Sequence, residues 1–352
     1  MKKTMRISVL LCVLVCFSAM GLGAFSFELN PQTPLHLPYL ADPFNTDLAL
    51  GYMYLSSEED RPAYLYKVTS GSSGVEYTGL EINKYYTDGT NMIMMRTGSS
   101  VPLARISVGP LAVEANIRGG FRAFFFAYRG TDLLGFDGTY YLGMNAKLGN
   151  LLTFSFGKKH HSGHIGDEII ATIDKKDPVD GSLLHDRQID YVRQDPLTFA
   201  LSFNALNHLR VYGELRLGDT AQIFKPKFIS DEAVADGYRA RELEVGAELS
   251  LPIPYVGDFT VAFDMTLHEM GKFVPQGSGT VINGEYEKYT FTYEKDAPWE
   301  TEFQIVLAQS LTTREEGLKA RVMVTYHRGR FPLFAFHMSK GSFISVGGSM
   351  GF

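Results

Sequence analysis

The chain has 352 residues, of which 45% are hydrophobic, 13% aromatic and 20% charged, and it contains 35 glycines. This composition is too apolar for a disordered chain and too rich in glycine, tyrosine and phenylalanine for a helical bundle or a coiled coil. The net charge is −6 and no run of lysine or arginine is long enough to neutralise a stretch of phosphates, so we expect no nucleic-acid partner.

The first 26 residues have the order of a secretory signal peptide. Basic residues near the start precede an apolar stretch over 7–17, and small residues follow it. We expect residues 1–26 to be removed on export, with cleavage after Ser26 favoured over cleavage after Ala24. Both cysteines lie in this segment, so the mature chain has no disulfide.

Period-two alternation of apolar and polar residues recurs along most of the mature chain and predicts strands. Over 242–251, for example, apolar residues alternate with glutamate, glycine and serine. The same pattern predicts about twelve strands, at 46–55, 102–109, 111–127, 139–148, 151–162, 197–204, 209–217, 242–251, 259–268, 299–311, 319–328 and 342–352. No apolar run after the signal is long enough for a transmembrane helix.

The gaps between these strands alternate in length. Short gaps such as Gly109-Pro110 alternate with long polar stretches such as 163–187. Outer-membrane barrels show this alternation because neighbouring strands run in opposite directions, with short periplasmic turns and longer outer loops. The sequence therefore predicts an all-β fold, a closed antiparallel transmembrane β-barrel over 46–352 with about twelve strands, ten and fourteen being the neighbouring alternatives. The proline-rich residues 27–45 are interpreted as a periplasmic lead-in, with entry into the lumen as the alternative.

The last predicted strand has one apolar face, formed by Ile344, Val346, Gly348, Met350 and Phe352. It resembles the C-terminal strand of bacterial outer-membrane proteins, in which alternating apolar residues end on a phenylalanine. The resemblance implies that Phe352 is an assembly signal read by the barrel-assembly machinery. It also implies that the chain lies in the cell outer membrane, in contact with its lipid. An ordinary final strand of a secreted protein is the alternative.

The opposite face of the strands carries charges of both signs, at Lys147, Arg210, Glu214, Arg216, Glu242, Glu244, Glu248, Asp264, Lys319 and Arg321. Side chains can largely fill the lumen of a barrel of this size. We therefore expect the lumen to be filled by salt-bridged side chains, with a selective pore as the alternative. We also expect Leu215→Arg on the lipid face to disturb assembly more than Arg216→Leu on the lumen face.

One constellation near the end of strand 151–162 has the residue types for acyl transfer. His160 and Ser162 have the parity of the lipid-facing residues, just beyond the apolar band. A histidine and a serine two residues apart on one outward strand face resemble the outer-membrane phospholipase and the outer-membrane lipid A deacylase. The resemblance implies a serine nucleophile, a histidine base and an acid that orients the histidine. Asp174 has the spacing implied for that acid, and Asp186 and Asp190 are equal alternatives near the returning strand.

The same stretch offers ligands for a metal ion. His161, His164, Asp167 and Glu168 supply nitrogen and oxygen donors that zinc or a similar ion accepts. A solvated loop without chemistry is the other interpretation. The string from His160 to Glu168 also resembles a signature of a bacterial outer-membrane family of unknown function, which supports the compartment and implies no activity.

The sequence thus favours an integral outer-membrane β-barrel with a structural or surface-interaction role. A narrow pore or transporter is one alternative, and a lipid acyl hydrolase using His160 and Ser162 is another. No cofactor is predicted, except that the hydrolase alternative allows for calcium.

Overall fold

The computed structural model describes residues 25–44, 47–55, 64–71, 74–81, 91–127, 132–167, 192–205, 208–218, 241–269, 272–282, 286–294, 299–311, 319–336 and 340–351. Their strands are β1 (Phe25–Leu29), β2 (Leu48–Leu55), β3 (Tyr64–Gly71), β4 (Gly74–Glu81), β5 (Asn91–Val108), β6 (Leu111–Phe126), β7 (Leu133–Leu148), β8 (Leu152–Ile165), β9 (Val192–Gln194), β10 (Leu197–Ala205), β11 (Leu209–Leu217), β12 (Glu242–Ile253), β13 (Gly257–His268), β14 (Lys272–Ile282), β15 (Tyr286–Glu294), β16 (Glu300–Ser310), β17 (Lys319–Arg330) and β18 (Lys340–Gly351). Within these ranges no helix has the length and apolar character needed to cross a membrane.

Twelve of these strands close into a barrel. In order around the ring they are β2, β5, β6, β7, β8, β10, β11, β12, β13, β16, β17 and β18, each antiparallel to the next, and β18 pairs with β2. Closure leaves this sheet without a free edge, so the ladder satisfies its own backbone N–H and C=O groups.

The alternation in the sequence predicts these twelve strands one for one, and the main differences are in their bounds. β5 begins at Asn91 rather than 102, and β7 begins at Leu133 rather than 139. The first part of β5 has apolar residues on both faces, because Met92 is buried inside while its neighbour Ile93 is on the outer face. A segment that is apolar on both faces has no period-two signal.

Side chains alternate between the lumen and the outer face. On β12, Glu242 and Glu244 are buried inside the barrel, whereas Leu243 and Leu249 are exposed outside it. Exposed apolar residues continue around the ring, among them Leu50, Leu142, Leu201, Leu215, Val324 and Val346. An apolar outer face around a closed barrel with a polar interior is the architecture of outer-membrane β-barrels.

The two ends of the barrel differ. At one, here called the turn end, Gly109 and Gly149 lie in short turns with φ of 56° and 54°, a conformation that glycine adopts without strain. At the other, the loop end, the connections are long. There β3, β4, β14 and β15 form a separate four-stranded sheet. These hairpins lie in stretches that the sequence predicts to be long polar loops.

Residues 31–44, here called the plug, lie inside the lumen rather than in a periplasmic lead-in. β1 pairs with the turn-end part of β5, and β2 pairs with the loop-end part of the same strand. The plug is the segment of chain that connects β1 to β2. The plug backbone hydrogen-bonds to side chains of the barrel wall, namely Glu114, Arg122, Arg210, Glu248 and Gln304. The ring of Tyr39 stacks on Tyr212 with centroids 3.6 Å apart. Proline suits such a segment because it has no backbone N–H, so fewer backbone groups need a hydrogen-bond partner in the lumen.

Residues 331–336, here called the cap, turn inward from the loop end between β17 and β18. The six residues are buried and include a 3-10 turn at Phe334–Phe336. Phe331, Leu333 and Phe336 pack in an apolar cluster with residues of the surrounding wall, among them Met53, Met92, Phe124, Leu134 and Phe343. The cap therefore fills the loop end of the lumen with an apolar core.

Candidate functional site

The alternation of β8 places its histidines on two faces. β8 starts at the turn end, and its lumen-facing residues include Thr153, Ser155 and His161, all buried. Phe154 and Phe156 have the opposite parity and are exposed on the outer face. His160, Ser162 and His164 share that outer face, at the loop end of the strand.

An aspartate lies behind His160. Nδ1 of His160 is 2.6 Å from Oδ1 of Asp195, and about a fifth of each side chain is exposed (19% and 23%). Asp195 stands between β9 and β10, where the chain returns to the barrel, and a hydrogen bond from the Lys159 N–H to the Pro196 carbonyl (3.0 Å) holds this corner against β8. The contact makes Nδ1 of His160 the donor to the carboxylate and leaves Nε2 as the nitrogen that can accept a proton.

The His160 ring has a second contact, with Tyr140 of β7. The two rings stack with centroids 4.5 Å apart and planes 16° apart, and their residues are opposite each other in the ladder. Hydrogen bonding at one nitrogen and stacking on one face fix both the tautomer and the plane of the imidazole.

Ser162 lies between the two outward histidines of its own strand. Its hydroxyl oxygen is 3.3 Å from Nε2 of His164, and the residue is 8% exposed. His164 stacks on Phe136 of β7 with centroids 4.7 Å apart. Ser162 is thus hydrogen-bonded to His164, whereas the carboxylate of Asp195 is bonded to His160.

Sequence reasoning did not find Asp195. Asp174, Asp186 and Asp190, the three acids that it proposed, lie outside the described residues. Asp195 is separated from His160 by a long loop and becomes its neighbour only because β9 and β10 pair with β8. The sequence feature that points to Asp195 is its position at the start of the returning strand, since it immediately precedes Pro196 and the predicted strand 197–204.

The residues proposed as metal ligands do not converge. His161 faces the lumen, where its ring stacks on Phe334 with centroids 4.2 Å apart. His164 is on the outer face, Asp167 is exposed beyond the end of β8, and Glu168 lies outside the described residues. In the described part of the chain no group of three or more histidine, cysteine, aspartate or glutamate side chains has a geometry that could hold a metal ion.

The lumen holds a lattice of ion pairs. Arg216 contacts three carboxylates, with Glu214 at 2.7 Å, Glu242 at 3.2 Å and Glu244 as the third. His268 bridges Glu242 and Glu302 at 3.1 and 3.0 Å. Further pairs are Arg96–Asp47, Arg105–Glu114, Arg122–Asp137 and Arg210–Glu248. Two cavities next to the plug have volumes of about 30 and 50 Å³, room for a water or two.

This lattice changes the expected effect of Arg216→Leu, which the sequence alone predicts to disturb assembly less than Leu215→Arg. Arg216 is buried and forms ion pairs with three carboxylates, of which Glu242 is also hydrogen-bonded to His268. Removing one partner of a buried ionic group destabilises by about 3–5 kcal/mol.

The C-terminal strand pairs along its length with β17 on one side and β2 on the other. Phe352, the proposed assembly signal, lies outside the described residues, as do residues 1–24 of the predicted signal peptide 1–26, whose last two residues belong to β1.

Comparison with known proteins gives similarities of structure only. No known protein family and no curated protein matches the chain. Among solved structures it is similar to outer membrane phospholipase A from Escherichia coli, at 10% identity over 88% of this chain and 93% of that one, with a TM-score of 0.47. A Salmonella typhi outer membrane phospholipase dimer with bound calcium matches at 10% identity over 90% and 94%, with a TM-score of 0.48. The outer membrane protein OprD from Pseudomonas aeruginosa matches at 10% identity over 90% and 98%, with a TM-score of 0.28. At these values the similarities carry no argument about function.

Proposed function

We propose that this chain is an outer-membrane acyl hydrolase that acts on ester-linked acyl chains of lipids at the outer leaflet. Ser162 is the nucleophile, His160 the general base and Asp195 the acid that orients the base. The observation that carries the proposal is the 2.6 Å contact between His160 Nδ1 and Asp195, on the outward face of the strand that also presents Ser162. The compartment is part of the proposal, supported by the apolar outer face of the barrel and the signal-like N-terminus.

The position of the three residues suits a lipid substrate. They lie on the outside of the barrel wall, beyond the exposed phenylalanines Phe154 and Phe156 of the same strand face. An ester carbonyl of a lipid in the outer leaflet lies at the boundary between headgroups and acyl chains, so it can approach this outer face without leaving the membrane.

The reaction follows the logic of serine hydrolases. Ser162 Oγ attacks the acyl carbonyl carbon while its proton passes to Nε2 of His160, and Asp195 stabilises the imidazolium. The tetrahedral intermediate collapses, the C–O bond to the lipid alcohol breaks, and His160 returns the proton to the leaving oxygen. Water then attacks the acyl-serine, with His160 taking its proton, which releases the fatty acid and restores the hydroxyl.

One rotation separates the resting site from this arrangement. Residues i and i+2 of a strand are about 6.6–6.8 Å apart, so Ser162 stands midway between His160 and His164. The serine hydroxyl is 3.3 Å from His164 in the resting structure. A change of the serine side chain to another staggered rotamer turns the hydroxyl towards His160. His160 is the assigned base because the Asp195 contact fixes its tautomer.

The pore and transporter alternative is opposed by the contents of the lumen. The plug is bonded to wall side chains on several strands, and the cap packs an apolar cluster at the loop end. A conducting lumen would require both elements to move.

The test is acyl release from lipid vesicles. Purified barrel is incubated with phospholipid vesicles and, separately, with lipopolysaccharide, with calcium or with a chelator, and free fatty acid is measured. Wild type is expected to release fatty acid from at least one lipid, and Ser162→Ala and His160→Ala to release none while remaining folded barrels. Absence of release by wild type from both lipids under both conditions would contradict the proposal and favour a structural or surface-interaction role.

A further inference from the structure

The cap lies directly behind Ser162, on the lumen side of the same strand. Gly163 follows Ser162 and faces inward. A Cβ on Gly163 would be 2.5 Å from the Ala335 backbone nitrogen and 2.9 Å from the Phe334 carbonyl carbon and Cβ. Such distances are too short for any side chain, so the close approach of cap and strand depends on glycine at this position.

The cap is fastened to the wall next to this contact. The Phe334 N–H donates to the carboxylate of Asp137, at 2.9 and 3.2 Å from its two oxygens. Asp137 is opposite Gly163 in the β7–β8 ladder and forms an ion pair with Arg122 at 2.7 Å. Both charged side chains are nearly inaccessible to solvent, so this pair is weakly screened.

The ring of Phe334 makes the second attachment. It stacks on His161, the residue before Ser162, with centroids 4.2 Å apart and planes 16° apart. On its other side His161 meets Phe44, at the end of the plug, edge to face with centroids 4.4 Å apart. Both chain neighbours of Ser162 are therefore held from the lumen side, one by ring stacking and one by backbone contact.

We propose that the cap is a positioning element for Ser162, acting through Gly163 and His161 across the barrel wall. The inference rests on the proposed function, since it concerns the same serine. A barrel wall is a single strand layer, so a shift of the inward residues on either side of Ser162 displaces the outward hydroxyl between them. The His160–Asp195 pair is on the outer face of the wall, whereas the cap is on the lumen side, and the pair is expected to stay in place.

The consequence is a change in turnover without a change in substrate binding. Misplacing a reacting group by about 1 Å costs on the order of 100-fold in rate. Loss of cap contact is therefore expected to lower kcat by about 100-fold, while KM stays at the wild-type value because the lipid-facing surface is intact.

The experiment uses the full-length barrel in detergent micelles and a short-chain nitrophenyl ester as substrate. Gly163→Ala inserts a methyl group between strand and cap. It is expected to lower kcat by about 100-fold and to leave KM unchanged. Gly51→Ala is the matched control on β2. Its added Cβ faces the lumen too, but meets Met94 Cε at 3.6 Å and Ser345 Oγ at 3.8 Å, which are ordinary contacts. Its kcat is expected to equal that of wild type.

A second pair of variants covers the case in which Gly163→Ala does not fold, as judged by the shift in gel mobility between boiled and unboiled samples. Phe334→Ala removes the stacking on His161 without introducing a clash and is expected to lower kcat. Phe334→Tyr keeps the ring and is expected to have the wild-type kcat. A folded Phe334→Ala with wild-type kcat, or a loss that appears in KM alone, would overturn the positioning role while wild-type turnover upholds the proposed function. An inactive wild type would overturn both.

Discussion

Replacing Asp195 by asparagine tests the contact on which the proposed function depends. Asparagine keeps the shape of the side chain and can still accept the Nδ1–H of His160, but it removes the negative charge. The change therefore isolates the stabilisation of the imidazolium, which forms only as the proton leaves Ser162. We expect the loss in kcat rather than in KM.

The magnitude follows from the exposure of the pair. A hydrogen bond to a charged group contributes about 1.5–3 kcal/mol, and each 1.36 kcal/mol is tenfold in rate, so kcat should fall by about 10- to 150-fold. At the aspartate of a Ser-His-Asp triad the same substitution lowers kcat by about 10⁴-fold because the histidine is held in the wrong tautomer. A smaller loss is expected here because 19% of His160 and 23% of Asp195 are exposed, so water partly replaces the missing charge.

The assay is turnover of a soluble acyl ester by folded, purified protein. Asp258→Asn is the matched control, since Asp258 also forms a partly exposed pair, with Lys319 at 2.7 Å, at the turn end of the barrel. That variant should keep wild-type turnover. If Asp195→Asn turns over as fast as Asp258→Asn, Asp195 does not orient the base and the assignment of the triad is wrong.

Three further outcomes are expected. Ser162→Ala and His160→Ala should each abolish acyl release, and the double variant should lose nothing more, because residues that act as a unit are not additive; a residual activity that falls further in the double variant would contradict this. His164→Gln should lower kcat far less than His160→Ala, and an equal loss in ester turnover would make His164 the base. In urea titrations that follow barrel unfolding, Leu215→Arg should cost about 2–4 kcal/mol because it places a charge in the apolar band. Arg216→Leu should cost about 3–5 kcal/mol, because it leaves Glu214 and Glu244 without their cation and Glu242 with His268 alone. A neutral Arg216→Leu would show that the lumen lattice rearranges freely.

The strands could be predicted from the sequence because a barrel strand has one lipid face and one lumen face. β12 is an example, with leucines outside and glutamates inside. That contrast is absent at the start of β5, where Met92 and Met94 pack inward on the apolar cluster that also holds the cap. An apolar core at one end of a lumen is a tertiary feature, and period-two alternation does not report it.

The candidate site was predictable only in part. The parity of β8 correctly places His160 and Ser162 on the outer face, because side-chain direction depends on local geometry alone. Asp195 was not predictable from spacing, since its position depends on how a long connection returns to pair with β8. The plug and the cap were beyond local reasoning for the same reason, as each is held by side chains that are distant in sequence, such as Arg210 for the plug and Asp137 for the cap.

The most direct test of the proposed activity is to locate an activated serine by chemistry. A fluorophosphonate probe reacts with a serine whose proton is accepted by a neighbouring base, and peptide mass spectrometry then identifies the labelled residue. We expect a phosphonate adduct on Ser162 of the folded wild-type barrel and none on Ser162 of the His160→Ala variant. A wild-type barrel without an adduct on Ser162, or equal labelling of the two proteins, would contradict it.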